Sequence, residues 1–326
     1  MLIDLLKQYS ASGVLPMHMP GHKRRALFSG LPHELDITEI SGFDNLHDMT
    51  GVLRGTALLA ARLYGAGAAF PLVGGSTAGV LAAIRTFCPE RSGSLVMSRT
   101  SHRCVYSAAE LCGLAPVYIP TERDAKSGIL GGSSAESVRR ILESSPDARA
   151  VVVTSPSYDG AVSDIASIAA LTKRAGVALI VDAAHGAHFG FSPEFPQNAV
   201  RLGADAEVVS LHKTLPAMTQ TALLLLQSPD MSKRAQDALR VFETTSPSYV
   251  LLASIDACLN LLQSRGIELF ADWARALREF DGALNLKSLR RVSSSDSWFG
   301  FDPGKIAVST VGTDVSGARL MELLRT

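Results

Sequence analysis

Short, continuously apolar segments alternate with amphipathic segments through the middle of the chain. Two of the apolar segments, residues 150–154 and 177–181, contain almost no polar side chain, which is typical of strands buried on both faces of a sheet. The amphipathic segments between such strands, for example residues 164–175, carry the helical repeat of apolar positions. Strands separated by helices predict a mostly parallel sheet that is sandwiched by helices, so the expected fold class is α/β.

The same pattern predicts further elements on either side of this region. A glycine turn at residues 74–77 is expected to open a helix, with Ser76 or Thr77 as its N-cap. Sheets of this kind bind ligands beyond the carboxyl ends of their strands, so functional residues are expected directly after the strands. The other predicted strands are residues 94–98, 116–119, 207–210 and 221–226, and the other predicted helices are residues 56–64, 74–88, 101–113 and 134–144.

The pattern divides the chain into three parts. Residues 1–55 contain Gly, Pro, His and acidic residues with little periodicity, and are expected to form an irregular N-terminal segment. Residues 56–245 are predicted to be a large α/β domain. Residues 246–326 are predicted to be a linker helix and a partial small α+β domain, with helices at residues 249–262, 269–280 and 315–324 and a strand at residues 306–309.

The composition argues against several functional classes. With 47% hydrophobic residues among 326, the chain is too apolar for a disordered protein. Its 31 Lys and Arg balance 31 Asp and Glu, so neither a nucleic-acid partner nor a basic membrane-binding patch is expected. No apolar run reaches the roughly 18 residues of a membrane span, and the N-terminus lacks the apolar core of a signal peptide. The four cysteines have no Cys-x-x-Cys spacing, which indicates reduced thiols and a cytoplasmic protein.

Three polar features follow predicted strands or open a predicted helix. Lys213 comes shortly after the strand at residues 207–210, where burial favours the neutral amine, a nucleophile for an aldehyde. Asp182 directly follows the strand at residues 177–181, where a carboxylate can be a helix cap, a metal ligand or the partner of a protonated ring nitrogen. The glycine turn at residues 74–77 offers free backbone N–H groups to an anion.

His185 and His188 follow Asp182 in the segment DAAHGAH, which makes a metal site an alternative. The spacing Asp-x-x-His is a weak metal signal and no third ligand group is evident, so no metal is predicted. An anion cradle, an Asp and a Lys at the ends of strands together match one cofactor. Pyridoxal 5′-phosphate needs a phosphate site, an acid for its pyridine nitrogen and a lysine for its aldehyde, and we predict that the chain binds it.

Four motifs resemble the Orn/Lys/Arg decarboxylase family, in the right order along the chain. They are MHMPGHK at residues 17–23, DAAHGAHFGF at residues 182–191, SLHKTLPAMTQTALL at residues 210–224 and TTSPSY at residues 244–249. The resemblance runs from about residue 15 to about residue 265. It implies a pyridoxal-phosphate enzyme of the aspartate aminotransferase fold, closest in layout to the short forms of the family.

The resemblance also implies roles for individual residues. Lys213 would bond the cofactor aldehyde, Asp182 would pair with the pyridinium nitrogen, and His185 would lie beside the ring substituents. His102 matches the histidine that stacks on the ring face. Thr245 and Ser246 match residues that reach the cofactor of a neighbouring subunit, which implies a homodimer. The residues that match the phosphate site are Gly75, Ser76, Thr77, Ser210 and His212.

The implied reaction is decarboxylation of lysine, arginine or ornithine to a polyamine-type amine and CO2. The residues alone leave open an aminotransferase or another lyase, because these enzymes share the Lys, the Asp and the phosphate cradle. A truncated, non-catalytic paralogue is a further alternative. An acidic subsite for a basic substrate is one interpretation of the acid-rich stretch at residues 36–48, and a solvated loop is the other.

The sequence departs from the family pattern at several points. Ala183 stands where an acid often follows the Asp, and Arg103 and Cys104 replace the usual Lys-Ser after the stacking histidine. Members of the family continue beyond the position of Thr326 with the rest of the small domain. We therefore expect the chain to bind the cofactor, with weak or absent decarboxylation, because the substrate side of the site is expected to lack its last wall.

Overall fold

The computed structural model describes residues 1–25, 28–292 and 298–325. A seven-stranded sheet forms its centre, in the order β1-β8-β7-β6-β4-β2-β3. Neighbouring strands from β3 to β7 pair in parallel, whereas β8 runs antiparallel to both β7 and β1. The strands are β1 (Ala68–Leu72), β2 (Ser94–Ser98), β3 (Ala115–Ile119), β4 (Ala148–Thr154), β5 (Ala161–Val162), β6 (Ala178–Asp182), β7 (Ala206–Ser210), β8 (Ala222–Leu226), β9 (Arg290–Val292), β10 (Gly300–Phe301) and β11 (Ala307–Ser309).

Helices cover both faces of the sheet. Successive side chains of a strand point to opposite faces, and Val151 and Val152 accordingly belong to different buried apolar clusters. The predicted α/β sandwich with a mostly parallel sheet is therefore confirmed. The helices are α1 (Leu2–Ala11), α2 (Val52–Tyr64), α3 (Gly75–Phe87), α4 (Arg103–Leu111), α5 (Ala135–Glu143), α6 (Ile165–Ala175), α7 (Leu211–Thr214), α8 (Ser232–Phe242), α9 (Tyr249–Ala283) and α10 (Gly317–Leu323).

Helix α3 lies unusually close to the sheet. A Cβ atom added at Gly79 would lie 2.8 Å from Cγ1 of Val208 on β7 and 2.7 Å from Cδ1 of Leu72 on β1. Glycine therefore permits the close approach, since any larger residue would have to push the helix outward. The contact fixes the N-terminus of α3 near the carboxyl end of β7, where the predicted phosphate cradle and Lys213 both lie.

The structure differs from the sequence-based expectations at the chain termini. Residues 1–55 are not wholly irregular, because α1 buries Leu2 and Leu6 against the core. The backbone N–H of Leu2 donates to Asp256 of α9 at 2.8 Å, and the hydroxyl of Thr56 on α2 donates to the same carboxylate at 2.8 Å. This buried carboxylate joins three helices that are distant in sequence.

Two helices that were predicted separately are one. Helix α9 runs without interruption through residues 249–283, and Gly266 lies buried inside it. The final helix was expected at residues 315–324 and forms as α10, but none of its residues is buried. Met321 is 54% exposed and Leu324 is 78% exposed, so the apolar face of α10 lies open in the single chain.

Candidate active site

A cavity of about 200 Å³ lies at the carboxyl ends of the parallel strands. Strands β4 and β6, the turn that opens α3, the start of α4 and the short helix α7 each supply residues to its wall. Five residues that sequence reasoning selected line it together: Ser76, His102, Asp182, His185 and Lys213. Its other lining residues are Thr100, Thr154, Tyr158 and Ala184. The position agrees with the expectation that ligands bind beyond the strand ends.

Asp182 is the buried acid of this cavity. It ends β6 and is only 3% exposed, and the backbone N–H of Ala184 donates to its Oδ1 at 3.2 Å. Burial raises the pKa of Asp182, while that hydrogen bond and the nearby side chains of Lys213 and His102 oppose the rise. A carboxylate with so little hydration and so few donors is well suited to pair with a cationic group that enters the cavity.

Lys213 lies on α7, directly after β7, at the open side of the cavity. Its Nζ is 3.2 Å from Nε2 of His185. The sequence-based expectation that this lysine is desolvated is wrong for the single chain, because its side chain is exposed. The reason is local: α7 is only one turn long and directs the amine into the cavity mouth instead of into the core.

The glycine turn at the start of α3 fits a phosphate group. Gly75 adopts a φ of +74°, and α3 begins there with Gly74 as its N-cap. Ser76 and Thr77 are therefore inside the first turn, so the expectation that one of them caps the helix is wrong. No side chain caps the first turn of the helix, although the backbone N–H of Gly74 itself donates to the buried carboxylate of Glu243 at 2.9 Å. The N–H groups of the first turn can therefore face an anion.

Ser210 ends β7 and His212 follows it on α7, and neither residue lines the cavity. Ser210 is completely buried and its Oγ has no hydrogen-bond partner, an arrangement that is costly unless a ligand supplies the partner. His212 is fixed by a hydrogen bond of 3.0 Å from its Nδ1 to the carbonyl oxygen of Thr221. The unpartnered hydroxyl and the uncapped helix end together fit the phosphate of pyridoxal phosphate.

His102 is held as the N-cap of α4. Its Nδ1 accepts a hydrogen bond of 3.3 Å from the backbone N–H of Cys104 and lies 3.1 Å from the thiol of the same residue. A ring nitrogen that accepts from the backbone leaves the other nitrogen to carry the proton of the neutral imidazole. The ring itself is exposed beside the cavity, where a planar ligand can stack on it.

Thr245 and Ser246 are not brought to this cavity. Both are exposed in the segment between α8 and α9, and Ser246 donates its backbone N–H to the hydroxyl of Thr244 at 3.2 Å. Their predicted role involves the cofactor of a neighbouring subunit, so it stays a prediction. Thr77 is also exposed, at the outer side of the α3 turn.

Sequence reasoning missed Lys305 and assigned no role to Tyr158. Nζ of Lys305 lies 3.1 Å from Nδ1 of His185, and the Tyr158 ring packs edge-on to His185 with 5.4 Å between the ring centroids. Tyr158 could be selected from the sequence as a candidate site residue, because it lies in the loop after a predicted strand. Lys305 carries no such signal, since a lone lysine in a Pro-Gly turn is indistinguishable in sequence from a solvated surface residue.

His188 serves the fold and does not line the cavity. It is completely buried, packs against the rings of Phe189, Phe195 and Trp273, and its Nε2 is 3.1 Å from Oδ1 of Asp302. Within residues 1–25, 28–292 and 298–325, no group of three or more His, Cys, Asp or Glu side chains is arranged to hold a metal ion.

The acid-rich stretch at residues 36–48 contains a structural carboxylate. Burial alone would raise the pKa of Asp44, but backbone N–H groups of Thr50, Gly51, Asn45 and Leu53 donate to it and lower its pKa overall. Asp44 therefore organises the entry into α2. Asp36 pairs with His22 at 3.1 Å, in a separate cavity from that of Lys213. Neither residue lines the candidate active site.

Comparison with known proteins agrees with this geometry. Residues 2–318 match the family model of the Orn/Lys/Arg decarboxylase major domain. The chain belongs to this family. It is 36% identical over 272 residues to the protein YaaO of Bacillus subtilis, covering 80% of this chain and 56% of that protein. It is 30% identical over 337 residues to the arginine decarboxylase of the same organism, covering 98% of this chain and 68% of that enzyme.

The fold is also that of a solved member of the family. The lysine decarboxylase of Francisella novicida superposes with a TM-score of 0.72 at 21% identity, covering 91% of this chain and 46% of that one. The predicted family and fold are confirmed by these matches. The chain spans from about half to about two thirds of the length of these three relatives. No helix in the described ranges is long and apolar enough to cross a membrane.

Proposed function

We propose that this chain binds pyridoxal phosphate and decarboxylates a basic amino acid, namely lysine, arginine or ornithine. One observation carries the proposal: the carboxylate of Asp182 and the amine of Lys213 line the same cavity, beside an uncapped helix end. The names of the relatives support a basic substrate, since they include an arginine decarboxylase and a lysine decarboxylase.

Each residue of the cavity has a defined task in this proposal. The first turn of α3 and the hydroxyl of Ser210 would hold the phosphate, and Lys213 would bond the cofactor aldehyde. Asp182 keeps a proton on the pyridine nitrogen, because a buried carboxylate stabilises a neighbouring cation strongly. His102 packs on the ring face and sets its orientation.

When bound, the cofactor supplies a sink for the electron pair that remains as the substrate carboxylate leaves as CO2. The protein then has to replace the lost group by a proton. Lys213 is the residue that we assign as donor of this proton, since its side chain lines the mouth of the cavity. One proton is consumed for each CO2 released, so the products are CO2 and the amine.

We also propose that the active unit is a homodimer in which Thr245 and Ser246 face the site of the other subunit. The exposure of Lys213 supports this arrangement, because a second chain can cover the mouth of the cavity. A group of apolar residues near the N-terminus supports it as well, since each is more than half exposed: Val14, Leu15, Met17, Met19, Phe28 and Leu31. Sedimentation at micromolar concentration with cofactor bound tests the proposal, and a stable monomer would contradict it.

The cytoplasm is the proposed location. All four cysteines are buried free thiols, which fits a reducing compartment.

The deciding experiment is a product assay with the cofactor-loaded chain. Lysine, arginine and ornithine are supplied separately, and both CO2 and the amine are measured. We expect CO2 and the matching amine from at least one of them, and neither from the Lys213→Ala variant. A keto acid without CO2 would identify an aminotransferase, and a loaded chain that releases no product from any of the three would overturn the proposal.

A further inference from the structure

A second cavity, of about 250 Å³, lies apart from the candidate active site and shares none of its lining residues. Its wall is formed mainly by β7, the loop after β6 and the paired strands β5 and β10, and most of its lining residues are apolar. Three aromatic side chains contribute to it: Phe189, Phe299 and Phe301. Phe299 is 64% exposed, so the cavity reaches the surface there. Since a cavity of about 150 Å³ holds benzene, this one is large enough for a phenyl ring with a short arm.

Glu207 is the only ionisable side chain among the described residues that line the second cavity. It lies within β7 and is completely buried. Its Oε2 accepts a hydrogen bond of 3.0 Å from the backbone N–H of Val200, whereas its Oε1 has no hydrogen-bond partner in the part of the chain that the structure describes. A buried carboxylate oxygen without a donor is costly, so this atom is available to a ligand that brings one.

The other polar side chains of this wall are engaged with the backbone. The hydroxyl of Ser155 accepts the backbone N–H of Ser163 at 3.1 Å, and the hydroxyl of Ser163 accepts the backbone N–H of Ser133 at 2.9 Å. Oε1 of Gln197 accepts the backbone N–H of Asn198 at 3.1 Å. Oε1 of the buried glutamate is therefore the acceptor that these contacts leave open.

The chemistry of the wall favours a cation at Glu207. Burial raises the pKa of this carboxyl to about 7, although the backbone N–H groups of Val200 and Ala199 oppose the rise. None of the described lining residues is Lys, Arg or His, so a positive charge that stabilises the carboxylate inside the cavity has to come from a ligand. Aromatic rings attract cations as well, and Phe189 and Phe301 belong to the same wall. An ammonium group meets both requirements, since it donates hydrogen bonds and carries the charge.

We propose that the second cavity binds a small apolar amine, whose ammonium group donates to Oε1 of Glu207 and whose hydrocarbon part packs among the aromatic side chains. The volume suits a molecule smaller than the drug-sized ligands that fill cavities of about 300–1,000 Å³. A diamine or a basic amino acid is disfavoured, because its second charged group would be buried without a charged partner among the described lining residues. The ligand class therefore differs from that of the proposed active site, and the inference does not depend on the proposed function.

The test is a calorimetric titration of the chain, with cofactor present, with N,N-dimethyl-2-phenylethylamine. This tertiary amine has one N–H donor when protonated, and it cannot bond the cofactor aldehyde as a primary amine does. The neutral probe 2-phenylethanol has the same phenylethyl part. Wild type should bind the amine at least about tenfold more tightly than the alcohol, the difference that a hydrogen bond between charged groups supplies. Glu207→Gln should abolish this preference, whereas Glu268→Gln, at an exposed position on α9, is the matched control and should bind both probes like wild type.

A second variant locates the binding. A Cβ atom at Gly300 would lie 3.6 Å from Cβ of Val162, an ordinary contact, so Gly300→Leu can be accommodated and should weaken the binding of both probes by filling the cavity.

The outcomes separate this inference from the proposed function, because the titration requires no turnover. A preference for the amine that Glu207→Gln abolishes, with weaker binding to Gly300→Leu, supports the inference even if no decarboxylation is found. No binding of the amine to wild type, or equal affinities of wild type and Glu207→Gln for it, overturns the inference even if the enzyme is active. If Glu207→Gln does not fold, an alcohol that binds wild type as tightly as the amine, or amine binding that Gly300→Leu leaves unchanged, overturns it.

Discussion

Replacing Asp182 by Asn removes the negative charge of this side chain but keeps its shape. The amide oxygen of Asn can still accept the hydrogen bond from the backbone N–H of Ala184. Any effect of Asp182→Asn therefore reports the charge of the carboxylate and its ability to hold a proton on a ligand nitrogen.

The magnitude follows from the burial of the side chain. Asp182 is 3% exposed, so its charge is poorly screened by water. Losing one preorganised electrostatic element costs about 3–4 kcal/mol of barrier, by analogy with removal of an oxyanion donor, which is two to three orders of magnitude in kcat. The stability of the cofactor-free chain, in contrast to its turnover, should not fall in Asp182→Asn. Burial raises the pKa of Asp182, so ionisation of this carboxyl lowers the stability of the folded chain as the pH rises above 3.8, the ordinary pKa of Asp. The amide of Asn does not ionise, so the variant does not lose stability in this way.

Two assays on the same preparations decide the matter. Turnover with the best substrate should fall by about two to three orders of magnitude in Asp182→Asn. Urea unfolding at pH 8 without cofactor should show a variant at least as stable as wild type. Wild-type turnover in the variant would refute the role of Asp182 in holding the cofactor proton. A less stable cofactor-free variant would show instead that the carboxylate serves the fold.

Two further predictions concern buried groups outside the candidate active site. Burial raises the pKa of Glu207 to about 7, so wild type should lose up to about 3 kcal/mol of stability as the pH rises from 4.5 through 7. Glu207→Gln should lack this loss in urea titrations at pH 5 and pH 8, and an unchanged pH dependence would contradict the assignment. Tyr64 donates a buried hydrogen bond of 2.6 Å to the carbonyl oxygen of Ala187. Tyr64→Phe should cost about 1–3 kcal/mol in urea unfolding, and a loss no larger than that of the exposed control Tyr118→Phe would show that the bond adds nothing.

The central strands could be predicted because burial on both faces leaves a plain apolar signal. Residues 94–98 were predicted as a strand and form β2 with the same bounds. Strand β1 was missed because it contains Pro71, which argues against a strand. The structure tolerates this proline because β1 is at the edge of the sheet, paired only with β8.

The candidate site was predictable where its residues follow strands or resemble a family motif. Asp182 and Lys213 meet both conditions, and the structure brings them to one cavity. Lys305 meets neither, because its place depends on how the turn after β10 folds back onto β5. The exposure of Lys213 could not be predicted either. It depends on how the single turn of α7 packs at the end of β7, and the hydrophobic pattern does not show this packing.

The most direct test of the account is to identify the lysine that bonds the cofactor. The chain is incubated with pyridoxal phosphate, scanned for the yellow absorbance, reduced with borohydride, and digested for mass spectrometry. The account predicts one cofactor per chain, attached to the peptide that contains Lys213, and no attachment in Lys213→Ala. Attachment at another lysine, or a colourless chain with no attachment under saturating cofactor, would contradict it.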